Sequence, residues 1–356
     1  YKGLKPVYWC PHDETALAEA EIEYADAPCN SIYVKFPLKD DKGLLTKYAP
    51  LDKTYIVIWT TTPWTLPGNL AISLNPGFEY SLVKVPNGEV YVMAAELAER
   101  VMQAANIGEF EVLAKLKGSE MEYMRTRHPF LDRDSLVIVG EHVTLDAGTG
   151  CVHTAPGFGV DDYNVCKLYP ELGITVPVND RGFMTEEAGP FAEMFYDKAN
   201  DAILKNLTDS GLLLAAEKIV HSYPHCWRCK NPIIFRATEQ WFASVDAMKD
   251  EAVGACDSIK WLPEWGYERM VAMIRERSDW CISRQRHWGL PIPVFYCDSC
   301  KKPVCDDYTI DAVSSLFTKH GSNAWYETPV SEILGKDYDC PHCGGKSFTK
   351  EKDTLD

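Results

Sequence analysis

No part of this 356-residue sequence contains the roughly 20 consecutive apolar residues that a membrane-spanning helix needs. The amino end, Tyr1-Lys2-Gly3, lacks the charged-then-apolar pattern of a secretory signal. The expected compartment is therefore the cytoplasm, with no membrane partner. Basic charge is also scarce. Lys and Arg number 36 against 52 Asp and Glu, leaving a net charge of −16. That balance excludes indiscriminate nucleic-acid binding, whose affinity comes mainly from neutralised phosphates, but it leaves room for a local basic groove. Internal repeats and low-complexity segments are absent as well. What remains is an ordinary globular composition, 46% hydrophobic and 25% charged, long enough for two or three compact units. Patterned sequence begins almost at once and runs to Asp353-Thr354-Leu355-Asp356, so the chain reads as a piece of something longer.

Cysteine, by contrast, is plentiful. Thirteen cysteines without an export signal point to thiols and metal sites rather than a disulfide framework. Cys297-Asp298-Ser299-Cys300 and Cys340-Pro341-His342-Cys343, the latter followed by Gly344-Gly345, form two knuckles. Together they supply four thiolates for one tetrahedral, structural zinc, and the long stretch between them implies an insertion. His342 lies inside its knuckle, where the spacing favours Cys343 as ligand. A second pair, Cys226-Trp227-Arg228-Cys229, supplies only two ligands. Its natural complement is Cys10 with Asp13 or His12, since zinc accepts sulfur, imidazole and carboxylate. If filled, that second site ties residue 10 to residue 229 and makes the intervening chain an inserted module.

From Ser31 to about Val139 short β-type runs dominate: 32–36, 55–60, 80–85, 90–93 and 136–139, followed by 150–153. Pro86-Asn87-Gly88 is a hairpin signal between two of them. A helix is expected at about 95–104. Another, at about 192–210, carries Phe195, Ala199, Ile203 and Leu207 on one stripe and stops at Gly211; a third is expected at 265–277. The fold class is α+β, mainly β, with many short strands reading as a closed or nearly closed barrel, flanked by zinc-ribbon segments and a few helices. Four segments follow: an entry segment at 1–30, the barrel at 31–215, an exit segment at 216–290 and a second zinc-ribbon segment at 291–356.

Two stretches carry candidate chemistry. Tyr55-Ile56-Val57-Ile58 leads into Trp59-Thr60-Thr61-Thr62-Pro63-Trp64-Thr65-Leu66-Pro67-Gly68-Asn69. The prolines end ladder pairing and stiffen the chain, so several hydroxyls sit on a rigid bend at a strand end. Such a bend offers donors to one small polar group, or it is simply a strand end with ordinary hydroxyl turns. The second stretch runs from Gly148-Thr149-Gly150-Cys151-Val152-His153 to Gly159-Val160-Asp161-Asp162-Tyr163, a strand end entering a helix near Asp161. On one reading Asp161 is an N-cap and His153 a core histidine. On the other, His153 and Asp162 rim a small pocket, Asp162 anchoring a cationic ligand. Nothing beside Cys151 suggests an activating base, so it is not a nucleophile.

Together these stretches resemble the isoleucyl-tRNA synthetase family of class I enzymes, over essentially the whole chain. Trp59 to Asn69 is similar to the family's threonine-rich editing peptide, where Pro63-Trp64 replaces the Arg-Pro of valyl and leucyl relatives. Gly148 to Tyr163 resembles the second editing motif, and Trp280-Cys281-Ile282-Ser283-Arg284-Gln285-Arg286-His287-Trp288-Gly289 a signature near the synthetic site. Lys5 to Cys10 looks like the entry into the insertion. The ATP-binding signatures His-x-Gly-His and Lys-Met-Ser-Lys-Ser do not occur. The resemblance therefore implies the connective editing insertion with flanking zinc-bearing segments, with ATP and Mg2+ belonging only to the full-length enzyme. Where relatives carry Cys-x-x-Cys at the first zinc site, this chain has Cys10-Pro11-His12-Asp13.

The implied activity is hydrolysis of valine wrongly esterified to tRNA(Ile). One missing methylene is worth only about 1–3 kcal/mol of discrimination, a magnitude already known from this same family, so a second, smaller pocket is needed. The resemblance gives Thr60, Thr61 and Thr62 the ester carbonyl and attacking water, and Asp162 the α-ammonium. His153 becomes a wall limiting side-chain size, Asn69 helps place the terminal adenosine, and Trp59 and Thr65 are further substrate-binding positions. Expected partners are the tRNA(Ile) acceptor end and the remainder of the synthetase chain, in a monomer. A rival reading is a zinc-ribbon nucleic-acid-binding module without chemistry, built on Arg275, Arg277, Arg284 and Arg286 with Trp280 and Trp288.

Overall fold

Residues 1–356 are described by a computed structural model. Its contacts divide the chain into two units, 4–14 with 19–238, and 1–3 with 15–18 and 239–356.

The larger unit is built on one ten-stranded mixed sheet. Its strands are β1 (Ile22–Asp40), β2 (Thr54–Thr60), β3 (Ala71–Leu74), β4 (Glu79–Lys84), β5 (Val90–Ala94), β6 (Glu111–Lys117), β7 (Arg125–Arg127), β8 (Asp134–Val139), β9 (Cys151–Thr154) and β10 (Leu213–Cys226). They pair in the order β10-β1-β7-β8-β3-β9-β2-β5-β4-β6, and β1 also pairs with β2. That extra pairing closes a circuit of six strands, β1-β7-β8-β3-β9-β2, leaving β5, β4 and β6 as an extension from β2, and β10 paired on β1. Strand β1 serves two faces because it is long: Ile22–Val34 faces β10, while Ile32–Pro37 also pairs with β2. The apolar run in β2 is buried on both sides, as expected for a strand with neighbours on each edge, and Ile56, Ile58, Ile32, Phe36, Ile72 and Leu74 are fully buried with it. Parallel pairing of β2 with both β9 and β5, and of β3 with β8, accompanies antiparallel pairing elsewhere.

The Pro86-Asn87-Gly88 hairpin forms as expected, Lys84 facing Val90 and Gly88 adopting a φ of 85°. The expected helices appear as α1 (Ala98–Ala104), preceded by a 3-10 turn, and α3 (Tyr196–Asp209). Between them α2 (Val160–Cys166) follows β9. The buried stripe of α3 is Tyr196, Ala199, Ile203 and Leu207. Phe195 sits one residue outside the helix in extended conformation and is only half-buried, so Tyr196 takes the place expected of it. Sequence patterning left residues 22–31 and 213–226 unassigned. They form a long antiparallel ribbon whose exposed residues obscure any alternation.

In the smaller unit, α4 (Asp246–Cys256) packs on α5 (Gly266–Glu276), the helix expected at 265–277. The paired cysteines sit beside a three-stranded sheet, β11 (Phe295–Cys297), β12 (Pro303–Val304) and β13 (Phe348–Lys350). The implied insertion is helical: α6 (Asp307–His320) is capped by Asp306, whose carboxylate accepts the Thr309 N–H at 2.8 Å. Its core gathers Phe295, Val304, Val313, Trp325, Ile333 and Leu334. No helix in the chain is long and apolar enough to cross a membrane.

Candidate functional site

Strand β2 ends at Thr60, and the chain then tightens into a 3-10 turn over Pro63–Gly68 that is buried throughout. Three contacts fix this bend. The Trp64 N–H donates to the Asn200 side chain of α3 at 3.0 Å. His128 Nε2–H donates to the Leu66 carbonyl at 2.9 Å, and Arg133 donates to the Pro67 carbonyl. Gly68 packs so closely on Phe158 that a Cβ there would lie 2.5 Å from the ring. The second motif thus lies directly on the first, and Trp64 meets Phe158 edge-on at 5.0 Å. Gly148 is similarly pressed on Trp59, with φ 74° and room for no side chain. The Trp59 indole N–H donates to Ser31 at 2.7 Å.

The sheet order explains why residues 60–69 and 153 meet. Strand β9 lies between β2 and β3, with Val152 opposite Trp59 and His153 opposite Ile72. His153 therefore stands between the bend and its exit at Asn69. Its Nδ1 lies 2.8 Å from Asn69 Nδ2, and its Nε2 lies 3.0 Å from Thr65 Oγ1. Asn69 Nδ2 also donates to the Ala71 carbonyl at 2.8 Å, and Asn69 Oδ1 accepts from Ser135 at 2.6 Å. Asn69 is fully buried with both ends of its amide engaged inside the protein. Thr65 donates to the Thr62 carbonyl at 2.8 Å, Thr62 Oγ1 lies 3.3 Å from Thr60 Oγ1, and the Thr62 N–H donates to Thr60 Oγ1 at 3.1 Å. Thr61 and Thr62 are half-buried, while Thr60, Thr65 and His153 keep less than a tenth of their surface exposed. Burial lowers the pKa of both His153 and His128 to about 3, so both imidazoles are neutral at physiological pH.

Asp162 lies in the first turn of α2, half-buried, and its carboxylate accepts the Ala155 N–H at 2.8 Å. Desolvation raises its pKa to about 7; that backbone bond pulls the other way and nearby Asp161 adds to the rise. A carboxylate held where it titrates near neutrality is suited to receive a cation. Asp161 is not the N-cap expected of it. Gly159 holds that position without a side-chain cap, because the helix starts at Val160, and Asp161 points to solvent. The buried Cys151 thiol is pushed well above its ordinary range by burial, in keeping with an inert core residue.

Both metal-ligand sets assemble. Cys297, Cys300, Cys340 and Cys343 bring their sulfurs within 4.8 Å of one another, as do the ligand atoms of Cys10, Asp13, Cys226 and Cys229. Sulfur separations of 3.6 and 3.8 Å in the first set and 3.5 Å in the second resemble the edge of a tetrahedron around a metal about 2.3 Å from each sulfur. Either set could hold a metal ion. Of the alternatives left open for the second, Asp13 faces Cys226 at 3.4 Å, whereas His12 packs its ring on Phe195. His342 turns away toward the Pro303 carbonyl.

Sequence patterning did not single out Ser135, His128 or Asn200. None stands out from its neighbours in the sequence, and only strand and helix packing brings it to the bend. Among the arginine and tryptophan cluster, Arg284 is buried and ion-paired with Asp356 at 2.9 Å, while Trp288 is almost fully exposed.

A family model for tRNA synthetases class I (I, L, M and V) matches residues 1–356. The chain belongs to that family. Within it, the chain is 58% identical over 357 residues to the isoleucine--tRNA ligase of Caldicellulosiruptor bescii, covering 100% of this chain and 39% of that protein. It is 54% identical over 357 residues to the isoleucine--tRNA ligase of a Thermoanaerobacter species, covering 100% of this chain and 38% of that protein. The chain thus spans well under half the length of these curated relatives. The editing domain of the P. knowlesi cytosolic leucyl-tRNA synthetase is matched with a TM-score of 0.43 and 12% identity, over 55% of this chain and 97% of that one. That likeness is too slight to carry an argument. As a class I synthetase segment, the chain has its two motifs folded against each other around one imidazole.

Proposed function

We propose that this chain is the editing segment of an isoleucyl-tRNA synthetase and that it hydrolyses valine from mischarged tRNA(Ile). The observation that supports the reading is the packing of the threonine-rich bend on the second motif, through Gly68 and Trp64 against Phe158 and through the His153 bonds to Thr65 and Asn69; Asp162 is supplied by that same second motif. The circuit of six strands supports reading the larger unit as an editing barrel.

The chemistry follows from the groups present. Asp162, once ionised, pairs with the α-ammonium of the esterified amino acid through a charge-assisted hydrogen bond. Binding of the ammonium itself favours the carboxylate and draws its pKa down. Thr60, Thr61 and Thr62 hold the ester carbonyl and the attacking water, and hydroxyl and backbone donors meet the negative charge that develops on the carbonyl oxygen. An aminoacyl ester is already labile, so positioning of water supplies much of the rate and no covalent nucleophile is required. Neutral His153 is unsuited to electrostatic anchoring but suited to act as a wall, since its ring is fixed from both nitrogens. Trp59 lines the approach. Asn69 and Thr65, whose polar atoms are engaged with His153, act by holding that wall rather than by touching the adenosine or ester.

Both cysteine sets have donor chemistry suited to structural zinc, the second with Asp13 as its oxygen ligand. The full-length protein would add ATP and Mg2+ for synthesis, and the tRNA acceptor end and the remaining synthetase polypeptide are the partners. A purely binding module is disfavoured by Arg284, whose guanidinium is engaged inside the protein. Incubating the chain with Val-tRNA(Ile) and Ile-tRNA(Ile) and following ester loss tests the proposal. Faster release of valine than of isoleucine is expected, and equal background rates would refute it.

A further inference from the structure

Because His153 is neutral, it has one proton to place on either of two nitrogens, and the surrounding hydrogen bonds decide which. The Ala71 carbonyl can only accept, so the Asn69 group 2.8 Å from it must be the amide nitrogen. Asn69 Oδ1 then faces Ser135, whose hydroxyl donates to it at 2.6 Å. The other hydrogen of the Asn69 amide points at His153 Nδ1, 2.8 Å away, which must accept and therefore carries no proton. The proton sits on Nε2, and Nε2–H donates to Thr65 Oγ1 at 3.0 Å. Thr65 is left to donate its own hydrogen to the Thr62 carbonyl, which also accepts the Thr65 N–H at 3.0 Å.

We infer that Ser135 is a positioning residue for the hydrolytic site, which through Asn69 fixes the tautomer of His153 and through Thr65 holds the turn carrying Thr62. This rests on the proposed editing reading for its consequence but not for its geometry. Ser135 is fully buried on β8, and its hydroxyl donates to Asn69. Its location follows from the sheet: Leu136 pairs with Ala71 in parallel register, which sets Ser135 beside the strand entry at Asn69. The chain has one coherent alternative. If the Asn69 amide flips, His153 carries its proton on Nδ1, Thr65 donates to Nε2, and the hydroxyl bond to the Thr62 carbonyl is lost. The Ala71 carbonyl opposes that flip outright, and the Ser135 hydroxyl favours the present orientation, since after a flip it would lose its donated bond to Oδ1 and have to accept instead. Removing Ser135 Oγ leaves Asn69 Oδ1 buried without a donor and so removes the preference that this bond gives the present orientation.

The test combines 15N-histidine NMR with deacylation kinetics on the whole chain, the His153 signal being assigned by its loss in His153→Ala. In the wild type at pH 7, His153 should show a protonated Nε2 and an unprotonated Nδ1. Ser135→Ala should populate the Nδ1-protonated form and lower kcat for Val-tRNA(Ile) about tenfold, the factor that loss of one ordinary hydrogen bond permits, with KM little changed. Ser135→Thr, which keeps the hydroxyl, should restore both. Should Ser135→Ala fail to fold, Ser135→Cys replaces it with a weaker donor and the same direction of change is expected. A wild-type proton on Nδ1 overturns the inference, as does a Ser135→Ala protein with an unchanged tautomer and unchanged kcat. If the wild type releases no valine at all, the editing reading falls, while the NMR result still decides the tautomer lock.

Discussion

Replacing Asp162 by Asn should make the protein more stable and less active at once. In the folded chain the carboxyl titrates near 7 rather than at its ordinary 3.8, chiefly because burial disfavours the charge. The folded state therefore binds a proton more tightly than the unfolded state. Stability contributed by this group is fully present below about pH 4 and is lost as pH rises through about 7. A rise of about three pH units corresponds to at most about 4 kcal/mol lost at pH 8. The first turn of α2 favours the anion by some tenths of a kcal/mol, and the carboxyl retains some solvent, so a gain of about 2–3 kcal/mol is the working expectation for Asp162→Asn at pH 8. The amide keeps an oxygen for the Ala155 N–H, so that bond is not sacrificed. For a unit of this size such a gain corresponds to a rise in Tm of about 4–12 °C. The assay is thermal unfolding of wild type and variant from pH 4 to pH 8, with valine release measured alongside. The Tm difference should grow with pH and vanish near pH 4, and deacylation should be lost. A variant less stable than wild type at pH 8, or a difference that does not change with pH, would refute the picture of a carboxylate held at a cost for its function.

Further outcomes follow from other contacts. His153→Ala should open the wall and allow release of isoleucine from Ile-tRNA(Ile); unchanged retention of isoleucine would remove His153 from the specificity role. Gly68→Ala places a methyl group against the buried Phe158 ring and should cost about 1–3 kcal/mol, read as a fall in Tm, because the turn and the second motif cannot both keep their positions. Elemental analysis should find two zinc ions per chain, and Cys297→Ser or Asp13→Ala should each lower the content by one. Retention of two ions by either variant would exclude that residue as a ligand.

Much of this molecule was legible along the chain because local chemistry is written locally. The apolar run before Trp59, the Pro-Asn-Gly hairpin, the stripe of α3 and the spacing of Cys297, Cys300, Cys340 and Cys343 each follow from neighbouring residues, and each forms. The resemblance to isoleucyl-tRNA synthetases was likewise readable from short motifs, and the family match agrees with it. Other features depended on contacts distant in sequence. Whether Asp13 or His12 faces Cys226 turned on the ring of Phe195, and the place of Tyr196 in α3 turned on where the helix begins. Above all, the threonine-rich bend and His153 were only compatible neighbours until parallel pairing of β2 and β9 set them side by side. Ser135 shows the limit most clearly. A serine at the start of a mainly apolar strand carries no signal, since its role depends on a hydrogen bond to a residue brought near by strand register. Sequence determined which groups were available. Tertiary structure decided which nitrogen of His153 holds its proton, because that choice is made by the buried Ala71 carbonyl, the Ser135 hydroxyl and the Thr62 carbonyl, brought to it from β3, β8 and the bend after β2.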